Sequence, residues 1–325
     1  MRIVKRILLA GTSLLLCLNL LTGCSWVSLG VLYGMLSESP DDSSDFYDPG
    51  SSTPDSSLAD DWEEPTWENW MNTATGSATY PESGTVLISV YLDTGLDWTE
   101  EDVALTQQYL QIAVEGLDQK GQEYQSGMDV VYDSRQDPRL AVNLSLDIPD
   151  VEDDLQLTNR ALDAALAEAV DYRGLMEEYQ TDSVAFLVFL NDSGVSYTIP
   201  YYQGDSAEWY WEKCYLYLYD LGGRRNYENP ATYAHEMLHL FGAWDLYETN
   251  DTDGVTQQVV DYIRSEYPTE LMLTTYNIWG GYTYDRVPQF ISPLTAYAIG
   301  WIEDCPELDQ FPTLERQQRC CFSYW

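Results

Sequence analysis

The chain has two histidines, His235 and His239, four residues apart, with Glu236 next to the first. On an α-helix, residues four apart share a face about 6 Å apart along the axis, so two imidazoles at this spacing can grip one Zn²⁺. Glu236 falls about 100° round the helix from His235, beside such a metal rather than on it. There its carboxylate can take a proton from water. Gly242 follows His239 by three residues and Asp245 follows Gly242 by three, giving the pattern HExxHxxGxxD. A glycine at that point permits a left-handed turn that ends the helix and folds the chain back, which returns residue 245 as a third ligand. Since the chain has no third histidine, a three-imidazole site is excluded. Glu266 and Glu270 are the rival third ligands, on a later helix. A His pair in a core, or a purely structural zinc site, is the plain alternative; structural sites usually recruit Cys and have no use for Glu at this position.

The motif, read through Thr232–Glu248 (TYAHEMLHLFGAWDLYE), resembles the metzincin zinc peptidases, whose usual pattern ends in His where this chain has Asp245. The Asp form is similar to snapalysin-like and immune-inhibitor-A-like peptidases, and Leu246-Tyr247 resembles the latter group. The resemblance covers about residues 183–301. It implies one catalytic Zn²⁺ held by His235, His239 and Asp245, with Glu236 as general base. It also implies a Met-turn beneath the metal, for which Met272 in the segment 268–276 is the candidate. Tyr276 is the implied contact to metal or oxyanion, although it stands four residues after Met272 rather than two; Tyr282 and Tyr284 are its substitutes. The 292–301 segment (SPLTAYAIGW) then stands as the closing helix.

Elements able to position this motif are legible upstream. Thr85–Leu92 reads as a strand, and Thr99-Glu100-Glu101-Asp102 as the capped start of a helix running to about Lys120. Leu140–Ile148 alternates as a second strand, and Leu155–Gln180 reads as one long helix. Ser183–Leu190 is an unbroken apolar run, as in a strand buried on both faces. Val195–Tyr202 is strand-like, but Pro200 confines it to an edge. Lys213–Tyr219 is a further strand, and Asn229-Pro230 opens the motif helix with Pro in a permitted first-turn position. Strands alternating with helices predict an α/β (α+β) fold, a mixed, mostly parallel twisted sheet carrying the active-site helix.

Composition narrows the partners. With 15 Lys+Arg against 54 Asp+Glu, the 325-residue chain has a formal net charge of −39. That argues against nucleic acid and against peripheral docking on anionic lipid. Residues 1–24 carry three basic residues, then an apolar stretch too short and broken for a comfortable membrane span, then Leu21-Thr22-Gly23-Cys24. This resembles a bacterial lipoprotein signal cut before Cys24, which implies acylation of the Cys24 thiol and a lipid-anchored, extracytoplasmic protein. An uncleaved amino-terminal anchor with Cys24 incidental is the alternative. Domains are expected as a signal peptide at 1–23, a tether at 24–80 and a metallopeptidase domain at 81–325. From Glu38 to Glu68 there are eleven acidic residues and no basic one, a composition suited to a solvated spacer. Trp62, Trp67 and Trp70 within it are a possible latch.

Four further cysteines, Cys214, Cys305, Cys320 and Cys321, permit up to two disulfides outside the cell, with Cys305 to Cys320 or Cys321 the favoured bond and free buried thiols the alternative. Asn250–Gly254 (NDTDG) reads as an Asx-rich turn, with Ca²⁺ binding as the lesser reading because the EF-hand frame fails. Beyond the amino-terminal segment, Arg224-Arg225 forms the only paired basic patch. The expectation is a membrane-anchored zinc endopeptidase acting on protein or peptide. The competing readings are a tethered binding or assembly protein that retains a metalloprotease fold, and a zinc amidase acting on a cell-wall peptide.

Overall fold

The computed structural model describes residues 77–80, 84–93, 97–146, 155–199, 202–203, 209–210, 212–223, 226–251, 253–314 and 316. Cys24 and its signal, the acidic tether with its three tryptophans, Arg224-Arg225, Cys320 and Cys321 lie outside the described residues. The strands are β1 (Thr85–Asp93), β2 (Val130–Val131), β3 (Ala141–Ser145), β4 (Val184–Ser193), β5 (Tyr197–Ile199), β6 (Tyr202–Gln203), β7 (Trp209–Tyr210) and β8 (Lys213–Tyr219). The helices are α1 (Glu100–Gly121), α2 (Leu155–Ala169), α3 (Tyr172–Tyr179), α4 (Pro230–Leu240), α5 (Gln257–Glu266) and α6 (Pro293–Ala298).

β1 and β4 form the middle of a mixed α/β sheet. β8 continues it beyond β4, and β2 and β3 pair with the other side of β1; all of these contacts are parallel. Only β5, antiparallel to β8, breaks the pattern, and it forms the edge expected from Pro200. A separate two-stranded ribbon, β6 with β7, was not anticipated.

The sheet is apolar on both faces because both are covered. Leu87, Leu187, Phe189 and Leu216 join one buried cluster with residues of α1 and α4. Val86, Ile88, Phe186, Val188 and Tyr215 join another with Leu162 and Leu166 of α2 and Leu175 and Met176 of α3. The side chains of a strand alternate between faces, so the part of a strand covered on both sides must be apolar at every position, as β4 is from Val184 to Leu190.

The helix expected over Leu155–Gln180 is two helices. Asp171 interrupts it and caps the second, its Oδ1 accepting from Gly174 N at 3.0 Å. A short carboxylate competes for backbone donors, so it favours a fresh helix start over an interior position. The fold also begins earlier than residue 81. Ser77, Ala78 and Thr79 are buried, and Glu212 Oε1 accepts from Ser77 Oγ at 2.6 Å and from Ala78 N at 3.1 Å. Cys305 is a free thiol among the described residues, its Sγ 3.4 Å from Glu307 Oε2, and Cys214 is also free and buried; the other end of the favoured bond, Cys320 or Cys321, lies outside the described residues. No helix among the described residues is long and apolar enough to cross a membrane.

The motif helix α4 is the most enclosed element, with all eleven of its residues buried. Its start is set by Asn229, whose Oδ1 accepts from Ala231 N at 2.9 Å, and by Pro230 at the first helical position. Asn229→Ala is expected to cost about 1–2 kcal/mol. Urea unfolding of the variant should show a lowered midpoint; an unchanged midpoint would show that the cap does not set this helix.

Candidate metal centre

On α4 the imidazoles of His235 and His239 stand 4.9 Å apart between ring centroids and nearly perpendicular, at 87°. Each is locked from behind. His235 Nδ1–H donates to Leu271 O at 2.9 Å, and His239 Nδ1–H donates to Ala243 O at 3.1 Å. A proton on Nδ1 leaves each Nε2 lone pair bare and facing the other ring, the tautomer required of a metal ligand.

Asp245 completes the group through the turn expected at Gly242. The helix ends with Gly242 N donating to His239 O at 3.1 Å and Ala243 N to Leu238 O at 2.9 Å, a Schellman closure. Gly242 has φ +100, and a Cβ there would stand 3.3 Å from Ala298 O. The left-handed residue reverses the chain, and the same reversal delivers the Ala243 carbonyl to His239.

His235 Nε2 and His239 Nε2 are 3.3 Å apart, and Asp245 Oδ1 lies 3.3 Å from the first and 3.1 Å from the second. Tetrahedral bonds of about 2.0–2.1 Å place neighbouring ligand atoms roughly 3.3–3.4 Å apart, so this triangle is the size of one face of such a site. Asp245 Oδ1 is buried and makes no hydrogen bond among the described residues, while Oδ2 accepts from Tyr247 OH at 3.3 Å. One carboxylate oxygen is thus tied back and the other is aimed at two imidazole lone pairs. A buried acceptor of that kind is costly unless a cation meets it.

The charges agree with the geometry. Burial works against a charged His239, but the Asp245 carboxylate outweighs it and lifts the imidazole to about 9. Burial likewise opposes the charge on Asp245, but His239 and His235 draw it down to about 2. A metal ion takes the place of those protons as the group that joins the three. The buried His235, His239 and Asp245 group can therefore hold a metal ion, and it is the one such group of three or more among the described residues.

The rival ligands go elsewhere. Glu266 ends α5 on the exposed surface. Glu270 is fully buried, but its carboxylate accepts from Thr295 Oγ1 at 2.6 Å, from the Ser292 backbone and from the amides of Met272 and Leu273. It clamps the 270–273 loop to the start of α6. That loop lies against the site: Leu271 O holds His235, and Met272 O accepts from Leu246 N at 3.0 Å. Met272 itself is fully buried.

Glu236 is buried beside the triangle and does not belong to it. Thr198 Oγ1, on edge strand β5, lies 2.9 Å from both Glu236 Oε2 and Glu236 O. His235 and Glu236 open onto a cleft lined also by Gly194–Ser196, Tyr247 and Thr274–Tyr276. Tyr276 stacks on Tyr282 at 5.1 Å and 11°, and both rings line the cleft; Tyr284 instead donates to Tyr227 O at 3.1 Å. Asn250 bridges to Val255, and Asn250 Nδ2 donates to Asp253 Oδ2 at 2.8 Å. Nothing in the sequence marks Thr198 or Tyr247 as supports of the site, and Glu270 stands out there only as a rival ligand. The position of Glu270, two residues before Met272, is the nearest sequence signal.

Neither a family model nor a curated protein matches the chain. Two crystal structures of wild-type OgpA from Akkermansia muciniphila resemble it, each with a TM-score of 0.37. One is 11% identical, covering 68% of this chain and 60% of that one; the other is 13% identical, covering 77% and 65%. The chain thus spans less than two thirds of OgpA, and a likeness at this level identifies neither fold nor function.

Asp245→Ala should strip the metal, because two imidazoles remain and one buried anion is gone. Asp245→His should restore it by putting a third imidazole at the same turn. Glu266→Ala should leave metal content unchanged. Metal per chain, measured by mass spectrometry on the purified proteins, checks all three; full loading of Asp245→Ala would remove Asp245 from the ligand set.

Proposed function

We propose that this protein is a zinc-dependent endopeptidase, tethered by lipid on Cys24 to the outer side of a bacterial cell membrane. The observation that carries the reading is the position of Glu236: buried next to a metal-sized triangle of ligand atoms, outside that triangle, and open to the same cleft as His235. Two imidazole nitrogens and one carboxylate oxygen at tetrahedral spacing, with no thiolate, suit a catalytic zinc with a free position. Zinc bound there supplies Lewis acidity at the scissile carbonyl.

The chain's own residues do the rest. Glu236 takes the proton of the attacking water and passes it to the departing amine. The Thr198 hydroxyl holds the Glu236 carboxylate toward the cleft. β5 offers an edge with its outer side unpaired among the described strands, along which an extended peptide can lie with its backbone hydrogen-bonded. Tyr276 and Tyr282 form an aromatic wall, and Tyr276 is the candidate donor to the developing oxyanion. The Gly242 turn, Asp245 and the buried Met272 loop support placing the domain in a metzincin-like class.

Glu236→Ala removes the base and no ligand. The variant should keep its metal and its fold while peptide turnover drops by about 10²–10⁴. Cleavage at the parental rate, in a digest of a broad peptide library, would end the peptidase reading. Cys24→Ser should move the protein from the membrane fraction to the soluble fraction, since acyl chains are the only strong anchor once the signal is cut. Mature Cys24→Ser protein in the membrane pellet would refute the lipid tether.

A further inference from the structure

A second carboxylate faces the cleft and has no part in the proposed chemistry. Glu228 stands just before the cap of α4. Its Oε2 accepts from Thr232 Oγ1 at 2.7 Å and from Asn229 N at 3.3 Å, while its Oε1 makes no hydrogen bond among the described residues. The residue is 7% exposed, and it lines the same cleft as His235 and Glu236. A carboxylate that only capped the helix would not need to be buried against a cleft with one oxygen unspent.

Its position along the cleft follows from the helix. Thr232, which holds Glu228, precedes His235 by three residues and Glu236 by four, so all three share a face of α4. Thr232 stands four residues, about 6 Å along the axis, before the proposed base, and the Glu228 carboxylate is bonded to its hydroxyl at 2.7 Å, so it lies beyond that turn on the same cleft. An extended peptide advances about 3.3 Å per residue, so a side chain one or two positions from the attacked bond reaches Glu228.

Among the described residues the surroundings are anionic. Asp220 also lines the cleft, and no Lys or Arg does among the described residues. Burial pushes the Glu228 carboxyl up to about 7, with Asp220 and Glu236 adding to the effect. A neutral occupant leaves that acid desolvated and crowded by like charge, whereas a cation relieves both. The net charge of −39 draws cationic peptides toward the molecule as a whole.

We propose that Glu228, together with Asp220, forms a subsite for a cationic side chain of the substrate, so that the enzyme cuts next to Lys or Arg. The proposal rests on the peptidase reading for the word "cuts", but the subsite itself is a matter of binding. A digest of a peptide library with the full-length, zinc-loaded protein should give products enriched in Lys or Arg within two residues of the cut. Paired peptides that differ only in Lys against norleucine at that position then measure the preference as a ratio of kcat/KM.

A hydrogen bond to a charged group predicts a ratio of roughly ten- to a hundredfold. Glu228→Gln keeps an oxygen for Thr232 and Asn229 and removes only the charge, so a purely capping Glu228 would leave the ratio unchanged. The ratio should instead fall to near one. A library with no basic preference, or a preference that survives Glu228→Gln, overturns the subsite. Calorimetry of the same two peptides on zinc-loaded Glu236→Ala protein reads the preference without turnover. Tighter binding of the Lys peptide, with no cleavage by the parent protein, would sink the peptidase reading and support the subsite. Cleavage with equal binding of the two peptides would do the reverse.

Discussion

Two imidazole nitrogens and a carboxylate oxygen held together in a dry interior make a constraint that a shared positive charge satisfies, whether a proton or a metal ion. His235 Nε2, His239 Nε2 and Asp245 Oδ1 are in that situation, and their distances of 3.1–3.3 Å leave room for one ion at ordinary bond lengths. Much of the surrounding structure serves to keep them there. The two backbone carbonyls behind the rings fix the tautomers, Tyr247 occupies the spare carboxylate oxygen, and the complete burial of α4 denies the rings any alternative rotamer.

The supports come from parts of the chain far apart in sequence, and they converge through backbone rather than side-chain chemistry. Leu271 O reaches His235 because Glu270 gathers the amides of Met272 and Leu273 and the start of α6 around one buried carboxylate. Ala243 O reaches His239 because Gly242 turns left-handed directly after the helix. Backbone carbonyls make stable second partners for ligating histidines, since they neither titrate nor change rotamer.

The sequence announced the His235, His239 and Asp245 group more clearly than its scaffolding. HExxHxxGxxD is local, and helix periodicity with one left-handed glycine is enough to fold it, so His235, His239, Asp245 and Gly242 were all legible. The central strand at 183–190 was legible because burial on both faces forces an unbroken apolar run. Glu270 was misleading: its type and distance from the motif suit a ligand, and only the tertiary arrangement shows its oxygens already committed to Thr295 and backbone amides. Thr198 was silent because a threonine in a β-rich segment is ordinary there, and its contact with Glu236 spans 38 residues of sequence. The division of 155–180 into two helices turned on Asp171, whose cap competes with helix continuation by a margin too small to read from composition.

The short edge strand β5 carries a colloidal consequence. An unpaired sheet edge open to an extended peptide is equally open to the edge of another copy, and such edges seed self-association. Here the edge strand is three residues long, Tyr197–Ile199, and the next residue in the chain is Pro200, which has no N–H to offer a partner strand. The chain's surplus of 39 negative charges makes like copies repel one another while leaving a cationic peptide free to approach. At high concentration copies would thus stay dispersed although no further described strand pairs with that edge, and charge would discriminate between a neighbouring copy and a cationic chain before either touched the strand.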